Sequence, residues 1–300
     1  MGVSLAWQQQ QERGSRISIR IMAWVAQSLG RPVARALLYP ICVYFLLGSG
    51  AARRAVRRFR ERVLGRPASW RDLFRHYHAF ASTILDRVYF LRGRFDLFEI
   101  QVHGLDALDQ ELAKGRGCVL LGSHLGSFEV VRAVGLSRRH IEIRVLMDEQ
   151  NAPLIRGLIH ELNPAAAETV IQVGGADTML QVKECLDRGG VVGIMGDRVM
   201  QDDQAVACSF LGRDARFPTG AMRLAHVLRA PVVLFFGLYR GGNRYEVYLE
   251  SFGDAVQLSH EQRDTDLKQW TQRYADRLEA FCRRAPDNWF NFYEFWDDSH

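Results

Sequence analysis

The 300 residues are enough for one large α/β domain with an additional segment, and a composition of 48% hydrophobic and 24% charged residues is ordinary for a globular protein. Five cysteines, without a Cys-x-x-Cys pair, indicate neither a disulfide framework nor a zinc site, and they favour a reducing, cytoplasmic setting. The net charge of +5 is unevenly spread: residues 1–80 carry fourteen Arg, no Lys and three carboxylates, a balance of +11, which leaves −6 for the remainder. No nucleic-acid-binding motif accompanies these Arg, so we expect no nucleic acid partner.

The N-terminal part, residues 1–85, is predicted to form helices that associate with a membrane. Two charge-free apolar runs, 21–30 and 36–52, are followed by six Arg between positions 53 and 62. The second run reaches only the lower limit for crossing a bilayer, and it contains Pro40. We therefore expect helices in the surface of a membrane, with the Arg on anionic headgroups and Trp24, Tyr39 and Tyr44 near the interface. A spanning helix and a buried helix with a solvated Arg face are the alternatives. No cleavage site follows a short apolar core, so secretion is not indicated.

Residues 86–300 are predicted to form an α/β catalytic domain. An amphipathic stretch covers 70–91. Apolar runs predict strands at 98–102, 118–121, 142–147, 170–173, 191–195, 232–238 and 245–250, with helices at 151–162, 177–188 and 220–228. The three-to-four spacing from Leu267 to Phe281 predicts a last long helix, which Pro286 ends. This alternation indicates a central mixed sheet flanked by helices on both faces.

His124 and Glu129 form the most informative pair in the sequence. Residues five apart point to different faces of a continuous helix, so the pair makes sense only if the chain breaks between them. An apolar strand ends at Leu121, Gly122 is a turn signal, and a helix opens near residue 127. We therefore expect Glu129 to reach back from the first helical turn, fix the tautomer of His124 and raise its basicity for proton abstraction. The helix N-terminus would offer N–H groups to an oxyanion. A chance pairing is the competing interpretation.

This region and three later segments resemble the lysophospholipid acyltransferase superfamily. The closest branch is the bacterial one with His-x4-Glu, which includes the late acyltransferases of lipid A. The matching segments are 193–198, ending in Gly-Asp-Arg, then 210–213 followed by Phe-Pro-Thr-Gly at 217–220, and 230–233. Some relatives have Phe-Pro-Glu-Gly, so the role of that Glu is not carried over to Thr219. Further pieces, Trp7, 12–15, 84–90, 236–239 and 288–296, are similar to predicted acyltransferases of aryl-polyene or glycosyltransferase-associated type.

The resemblance implies an acyltransferase at the cytoplasmic face of the bacterial inner membrane, held peripherally or monotopically. The expected donor is an acyl thioester of acyl carrier protein or coenzyme A, and the expected acceptor is a hydroxyl or amine of a membrane lipid, glycolipid or polyene lipid. No cofactor, metal or covalent acyl-enzyme is expected. His124 and Glu129 would be catalytic. The implied substrate-binding residues are Ser123, Gly126, Asp197, Arg198, Arg213, Pro218, Thr219 and Gly220.

Several of these residues have a second interpretation. Arg198 would bind a phosphate of the donor or acceptor, yet Gly-Asp-Arg is also a plain turn. Asp197 could ligate a metal, pair with an Arg or cap the turn. Thr219 could be only a helix cap, and the aromatic stretch 289–296 is interpreted as packing or a membrane-interface belt.

Two other functions remain open from the sequence. A thioesterase or esterase would use the same donor with water as the acceptor. A non-catalytic membrane partner of a lipid-biosynthetic complex would keep the fold without the chemistry. A serine hydrolase is disfavoured, because a Gly-x-Ser-x-Gly elbow would place Ser where this chain has His124.

Overall fold

The computed structural model describes residues 24–139, 141–147, 153–175, 177–200 and 203–296. Its strands are β1 Glu99–His103, β2 Cys118–Gly122, β3 Ile143–Met147, β4 Val170–Gln172, β5 Val191–Met195, β6 Ala205–Phe210, β7 Arg213–Pro218, β8 Val232–Tyr239 and β9 Arg244–Gly253. Its helices are α1 Gly30–Gly48, α2 Gly50–Leu64, α3 Trp70–Leu91, α4 Leu105–Ala113, α5 Phe128–Arg139, α6 Pro153–Leu162, α7 Pro164–Ala167, α8 Thr178–Asp187, α9 Gly220–Leu228 and α10 Arg263–Arg284, with a short 3-10 turn at Phe95–Leu97.

Seven strands form one central sheet in the order β1-β9-β8-β2-β5-β3-β4. The β8–β9 pair is antiparallel and the other pairs are parallel, so the sheet is mixed. All seven strands correspond to apolar runs recognised in the sequence. The predicted class, a mixed α/β sheet flanked by helices, is confirmed.

Helices cover both faces of the sheet because its central strands are apolar on both sides. In β2, Val119 and Leu121 belong to one core, with side chains from α8, α9 and α10, whereas Cys118 and Leu120 belong to the other, with side chains from α1, α3 and α5. This alternation is the two-residue period of a strand buried on both faces. The buried sheet therefore fixes the positions of the loops that follow β2 and β5.

The β6–β7 hairpin lies outside the central sheet and was not predicted as a pair of strands. The two loop residues of the hairpin, Leu211 and Gly212, both have positive φ angles, of 51° and 80°. Two-residue hairpin loops favour such angles, but Asn-Gly or Asp-Gly is their usual sequence signal. Leu211 is buried and its N–H donates to Glu279 on α10. Tertiary contacts, and not residues with a high turn propensity, therefore stabilise this turn.

The N-terminal helices dock along the α/β domain. α1 buries Ala34, Leu38, Cys42 and Leu46, one stripe at four-residue spacing, and packs mainly on α3. Pro40 lies inside α1 without ending it, and the apolar run 36–52 is divided between α1 and α2 at Ser49. The predicted boundary at residue 85 falls within α3, and the division into 1–85 and 86–300 stays a prediction. Trp7 and residues 12–15 lie outside the described residues.

Candidate functional site

The candidate site lies at the edge of the sheet where β2 and β5 end. These neighbouring strands are parallel and in register from Cys118 with Val191 to Gly122 with Met195, so their C-terminal ends meet. His124 follows β2 by two residues, and Asp197 follows β5 by two. In open α/β sheets, ligands bind outside the carboxyl ends of the strands. The topology alone therefore brings an imidazole and a carboxylate together.

Asp197 holds His124 through both its backbone and its ring. Nδ1 of His124 is 2.8 Å from Oδ1 of Asp197, and the His124 backbone N–H donates to Oδ2 at 3.0 Å. The indole Nε1–H of Trp289 donates to the same Oδ2 at 2.9 Å. An ionised carboxylate only accepts hydrogen bonds, so Nδ1 of His124 carries the proton and Nε2 keeps its lone pair. The His124 side chain retains 34% exposure, whereas that of Asp197 is buried at 1%.

The expected partner of His124 was Glu129, and the structure corrects this. Glu129 lies in the first turn of α5, as predicted, but its carboxylate lies between two guanidinium groups. Its Oε1 is 3.9 Å from Nε of Arg87 and its Oε2 is 3.9 Å from an Nη of Arg132. Among the described residues, the ring of His124 is hydrogen-bonded to Asp197 and not to Glu129. The contact between parallel strand ends, invisible in sequence spacing, decides which carboxylate orients the imidazole.

The surroundings shift the pKa values of both partners. Burial lowers the pKa of His124 below its usual value, and the charge of Arg198 lowers it further, while the charge and hydrogen bond of Asp197 offset part of this decrease. For Asp197, burial acts to raise the pKa, but the charge and hydrogen bond of His124 and the charge of Arg198 outweigh it, so the pKa is lowered. The pair is thus an ionised carboxylate beside a neutral imidazole near pH 7, which is the protonation state required of a general base and the carboxylate that orients it.

The loop that carries His124 is held by close backbone packing. Gly126 has φ of +78°, and a Cβ at this position would lie 1.9 Å from the carbonyl oxygen of Gly237 in β8. The N–H of Gly126 donates to the Asn288 carbonyl at 2.8 Å, and the N–H of Ser127 donates to the Gly237 carbonyl at 2.7 Å. Gly126, predicted to bind substrate, is therefore required by the backbone itself. α5 begins at Phe128, which confirms the predicted strand, turn and helix.

The C-terminal segment completes the site, which the sequence did not indicate. The N–H of Phe290 donates to the His124 carbonyl at 2.8 Å, and an Nη of Arg198 donates to the Phe290 carbonyl at 2.9 Å. Trp289 is fully buried against Phe59 and Phe210. The segment was interpreted as packing or a membrane belt, and a periodic pattern could not have shown that one indole donates to Asp197.

Of the remaining predicted site residues, Ser123 adjoins His124 in the chain, whereas the others lie on or next to the β6–β7 hairpin. Ser123 is buried next to the hydroxyl of Tyr274. Pro218 lies at the base of the β6–β7 hairpin and Arg213 at its tip, at opposite ends of a six-residue strand, so one small ligand group would not contact both.

The other two are tied to the base of the hairpin. Thr219 is buried, and both its N–H and its hydroxyl donate to the Gln204 carbonyl at 2.9 Å, which makes it a bridge between hairpin and helix. Gly220 begins α9 with open space around it. The described part of the chain holds no group of three or more His, Cys, Asp or Glu side chains arranged to bind a metal.

Comparison with known proteins identifies the family of the chain. The sequence profile of the family described as bacterial lipid A biosynthesis acyltransferase matches residues 81–297, which include β2, β5, His124, Asp197 and Trp289. The chain belongs to this family. No curated protein matches the chain significantly. As a lipid A acyltransferase-like member of the lysophospholipid acyltransferase superfamily, it is an acyltransferase of lipid biosynthesis, an activity that uses an acyl donor and a lipid acceptor.

Membership of this lipid acyltransferase family also bears on the N-terminal helices, because the family is associated with membranes. Within the described residues, α1 is long and apolar enough to cross a membrane by length and composition, with a mean hydropathy of 1.2. The expectation that all six Arg of residues 53–62 face headgroups is wrong for Arg60. Its side chain is 2% exposed and pairs with Asp72 at 3.4 Å and Asp287 at 2.5 Å.

Proposed function

We propose that the protein transfers a fatty acyl group from a thioester of acyl carrier protein or coenzyme A to a hydroxyl or amine of a membrane lipid, glycolipid or polyene lipid. The observation that carries the proposal is the hydrogen bond between His124 Nδ1 and Asp197, made in a chain of the lipid A acyltransferase family. It leaves Nε2 as the basic nitrogen of a partly exposed ring. The finer likeness to acyltransferases of aryl-polyene or glycosyltransferase-associated type belongs to the same proposal.

The proposed reaction is a direct attack without a covalent acyl-enzyme. Nε2 of His124 accepts the proton of the acceptor hydroxyl or amine as the oxygen or nitrogen bonds to the thioester carbonyl carbon. Backbone N–H groups at the start of α5 stabilise the resulting oxyanion. The oxyanion then collapses to the ester or amide as the carbon–sulfur bond breaks, and the leaving thiolate takes from His124 the proton that came from the acceptor. Asp197 stays ionised throughout and stabilises the imidazolium.

The membrane acceptor is consistent with the exposed surface of α1. Eight of the thirteen large apolar side chains exposed on the described residues lie within residues 24–47, among them Tyr44 at 71% and Leu47 at 63%. α1 is also docked along the domain, because its stripe from Ala34 to Leu46 is buried and Arg31, in its first turn, pairs with Asp86. Arg35 in addition donates to the Tyr239 hydroxyl at 3.0 Å. A helix docked in this way favours an interfacial position over a spanning one. The proposal includes a peripheral or monotopic position at the cytoplasmic face of the inner membrane, as the sequence resemblance implies.

The test compares lipid extracts of cells that express the wild type, His124→Ala or Asp197→Asn. Mass spectrometry should find a lipid heavier by one acyl group with the wild type, and both variants should reduce its rate of formation by about 10²–10⁴-fold, the usual range for loss of general-base catalysis. Thermal unfolding of the variants controls for folding.

Two results would refute parts of the proposal. Free fatty acid produced at the wild-type rate without any acylated lipid would indicate a thioesterase, in which water is the acceptor. Identical lipid profiles for the wild type and a folded, membrane-bound His124→Ala variant would remove the catalytic role of His124.

A further inference from the structure

Beside His124 lies a cluster of three charged side chains that are not hydrogen-bonded to its ring: Arg87 on α3, and Glu129 and Arg132 on α5. α3 packs against α5 and brings Arg87 to the first turn of the helix. The three side chains are largely enclosed, with exposures of 21% for Arg87, 9% for Glu129 and 11% for Arg132. The charge of Arg87 also acts on the imidazole of His124, so the cluster adjoins the candidate catalytic base.

The contacts in this cluster are too long to satisfy the groups that make them. Each guanidinium approaches the Glu129 carboxylate at 3.9 Å, beyond hydrogen-bond distance. Within the described chain, the Nε–H of Arg87 is buried and has no hydrogen-bond acceptor. A guanidinium presents five N–H donors in a planar fork. Two such forks therefore converge on one carboxylate that does not engage them.

Among the residues that the structure describes, the charge balance of the cluster is also incomplete. There, two guanidinium groups face one carboxylate, which leaves one positive charge in a largely enclosed position. A buried charge is costly unless it is paired and hydrogen-bonded. Paired forks match the oxygen geometry of phosphate and carboxylate, and Arg is favoured wherever such groups are recognised in a bidentate manner. An anion of that geometry would complete the cluster.

From these contacts we infer that Arg87 and Arg132, held apart by Glu129, form a second anion site beside His124, which binds a phosphate group of a substrate. This inference rests on the proposed acyl transfer for the identity of the substrates. The phosphate belongs either to the phosphopantetheine arm of the donor or to the lipid acceptor. Glu129 is then a positioning residue, which holds the two guanidinium groups apart so that a phosphate can bind them. Its negative charge also lowers their affinity for anions in the absence of substrate.

The test measures binding and not turnover. Inorganic phosphate is followed by 31P NMR line broadening, and 4′-phosphopantetheine and pantetheine are followed by calorimetry, on the full-length protein. Arg87→Gln and Arg132→Gln should each weaken phosphate binding by about tenfold or more, because each removes a charge-assisted hydrogen-bond donor. Glu129→Gln should tighten it, because the competing carboxylate charge is lost. Arg94→Gln, which removes an exposed guanidinium paired with Asp96, should change nothing.

The pantetheine arm identifies the source of the phosphate. If 4′-phosphopantetheine binds more tightly than pantetheine and the difference disappears in Arg87→Gln, the site holds the donor phosphate. If only inorganic phosphate responds to Arg87→Gln, the site holds the acceptor phosphate. Unchanged binding of both ligands in folded Arg87→Gln and Arg132→Gln overturns the inference. Should Arg87→Gln not fold, Arg87→Lys keeps the charge without the fork and should still weaken binding.

Glu129→Gln also separates this inference from a direct role of Glu129 on His124. A partner of the imidazole would shift the pH profile of turnover without tightening phosphate binding. If the protein binds phosphate through Arg87 but transfers no acyl group, the anion site stands and only the proposed function is refuted.

Discussion

At the scale of single residues, the protonation state of His124 depends on opposing neighbours. Burial and the charge of Arg198 lower its pKa, and Asp197 raises it. A base with a lowered pKa stays unprotonated to lower pH, so the acidic limb of kcat/KM should lie below the pKa of about 6.5 that is usual for histidine. The surroundings of His124 therefore favour the neutral imidazole to a lower pH than an unperturbed histidine would.

Removal of the Arg198 charge should move this limb. Arg198→Gln takes away a positive charge that disfavours imidazolium, so the pKa of His124 rises and the acidic limb of kcat/KM shifts to higher pH. The pH dependence of kcat/KM measures the shift, whatever the variant does to the rate at the optimum. Arg283→Gln, on the exposed side of α10, serves as the control. A limb that stays in place would mean that another group titrates in this range.

The sequence identified His124 and included Asp197 among the site residues, but it assigned the orienting role to Glu129. Local reasoning works with residues that are near in sequence, and Glu129 is five positions from His124. The contact with Asp197 spans 73 residues and depends on β2 lying next to β5. The order of strands in a sheet is a tertiary property, and the periodic pattern of a single strand does not reveal it. The carboxylate that orients a predicted base is therefore harder to predict than the base itself.

At the scale of elements, the turn after β2 depends on an approach between backbones. Gly126→Ala places a methyl group against the Gly237 carbonyl and imposes a positive φ on a residue with a side chain, so we expect displacement of the His124 loop and loss of most activity. Gly115→Ala is the matched control, because Gly115 has a similar φ of +75° with nothing within 4 Å. It should lower the free energy of unfolding by about 1–2 kcal/mol, the usual cost of a left-handed conformation for a residue with a side chain, and leave activity unchanged. Activity assays and thermal unfolding of both variants make the comparison, and equal activity in the two would contradict the steric argument.

The elements themselves were largely predictable. Continuous apolar runs gave the seven strands of the sheet, and the three-to-four spacing gave α10, because burial on both faces or on one stripe leaves a periodic record. The β6–β7 hairpin left no such record. Charged residues occupy β7 and a Leu occupies the turn, so its geometry comes from contacts with α10.

At the scale of the whole molecule, the apolar surface of residues 24–47 should attach the protein to membranes. Leu47→Asp and Tyr44→Asp place a charge on exposed positions of α1 and should reduce cosedimentation with vesicles of anionic lipid. Leu180→Asp is the matched control, since Leu180 is 57% exposed on α8, far along the chain from α1. The part of the binding that the N-terminal Arg supply should weaken as salt is raised. Equal loss of binding in all three variants would argue against a specific surface on α1.

The dependence of the His124 loop on Trp289 and Phe290 has a consequence for biosynthesis. A chain emerges from the ribosome N-terminus first, at about 5–20 residues per second. α1 is therefore synthesised some 240 residues, or roughly 10–50 s, before the residues that hold His124 and Asp197 in place. If α1 attaches the protein to a membrane as proposed, the nascent chain can reach that membrane before its catalytic site is complete.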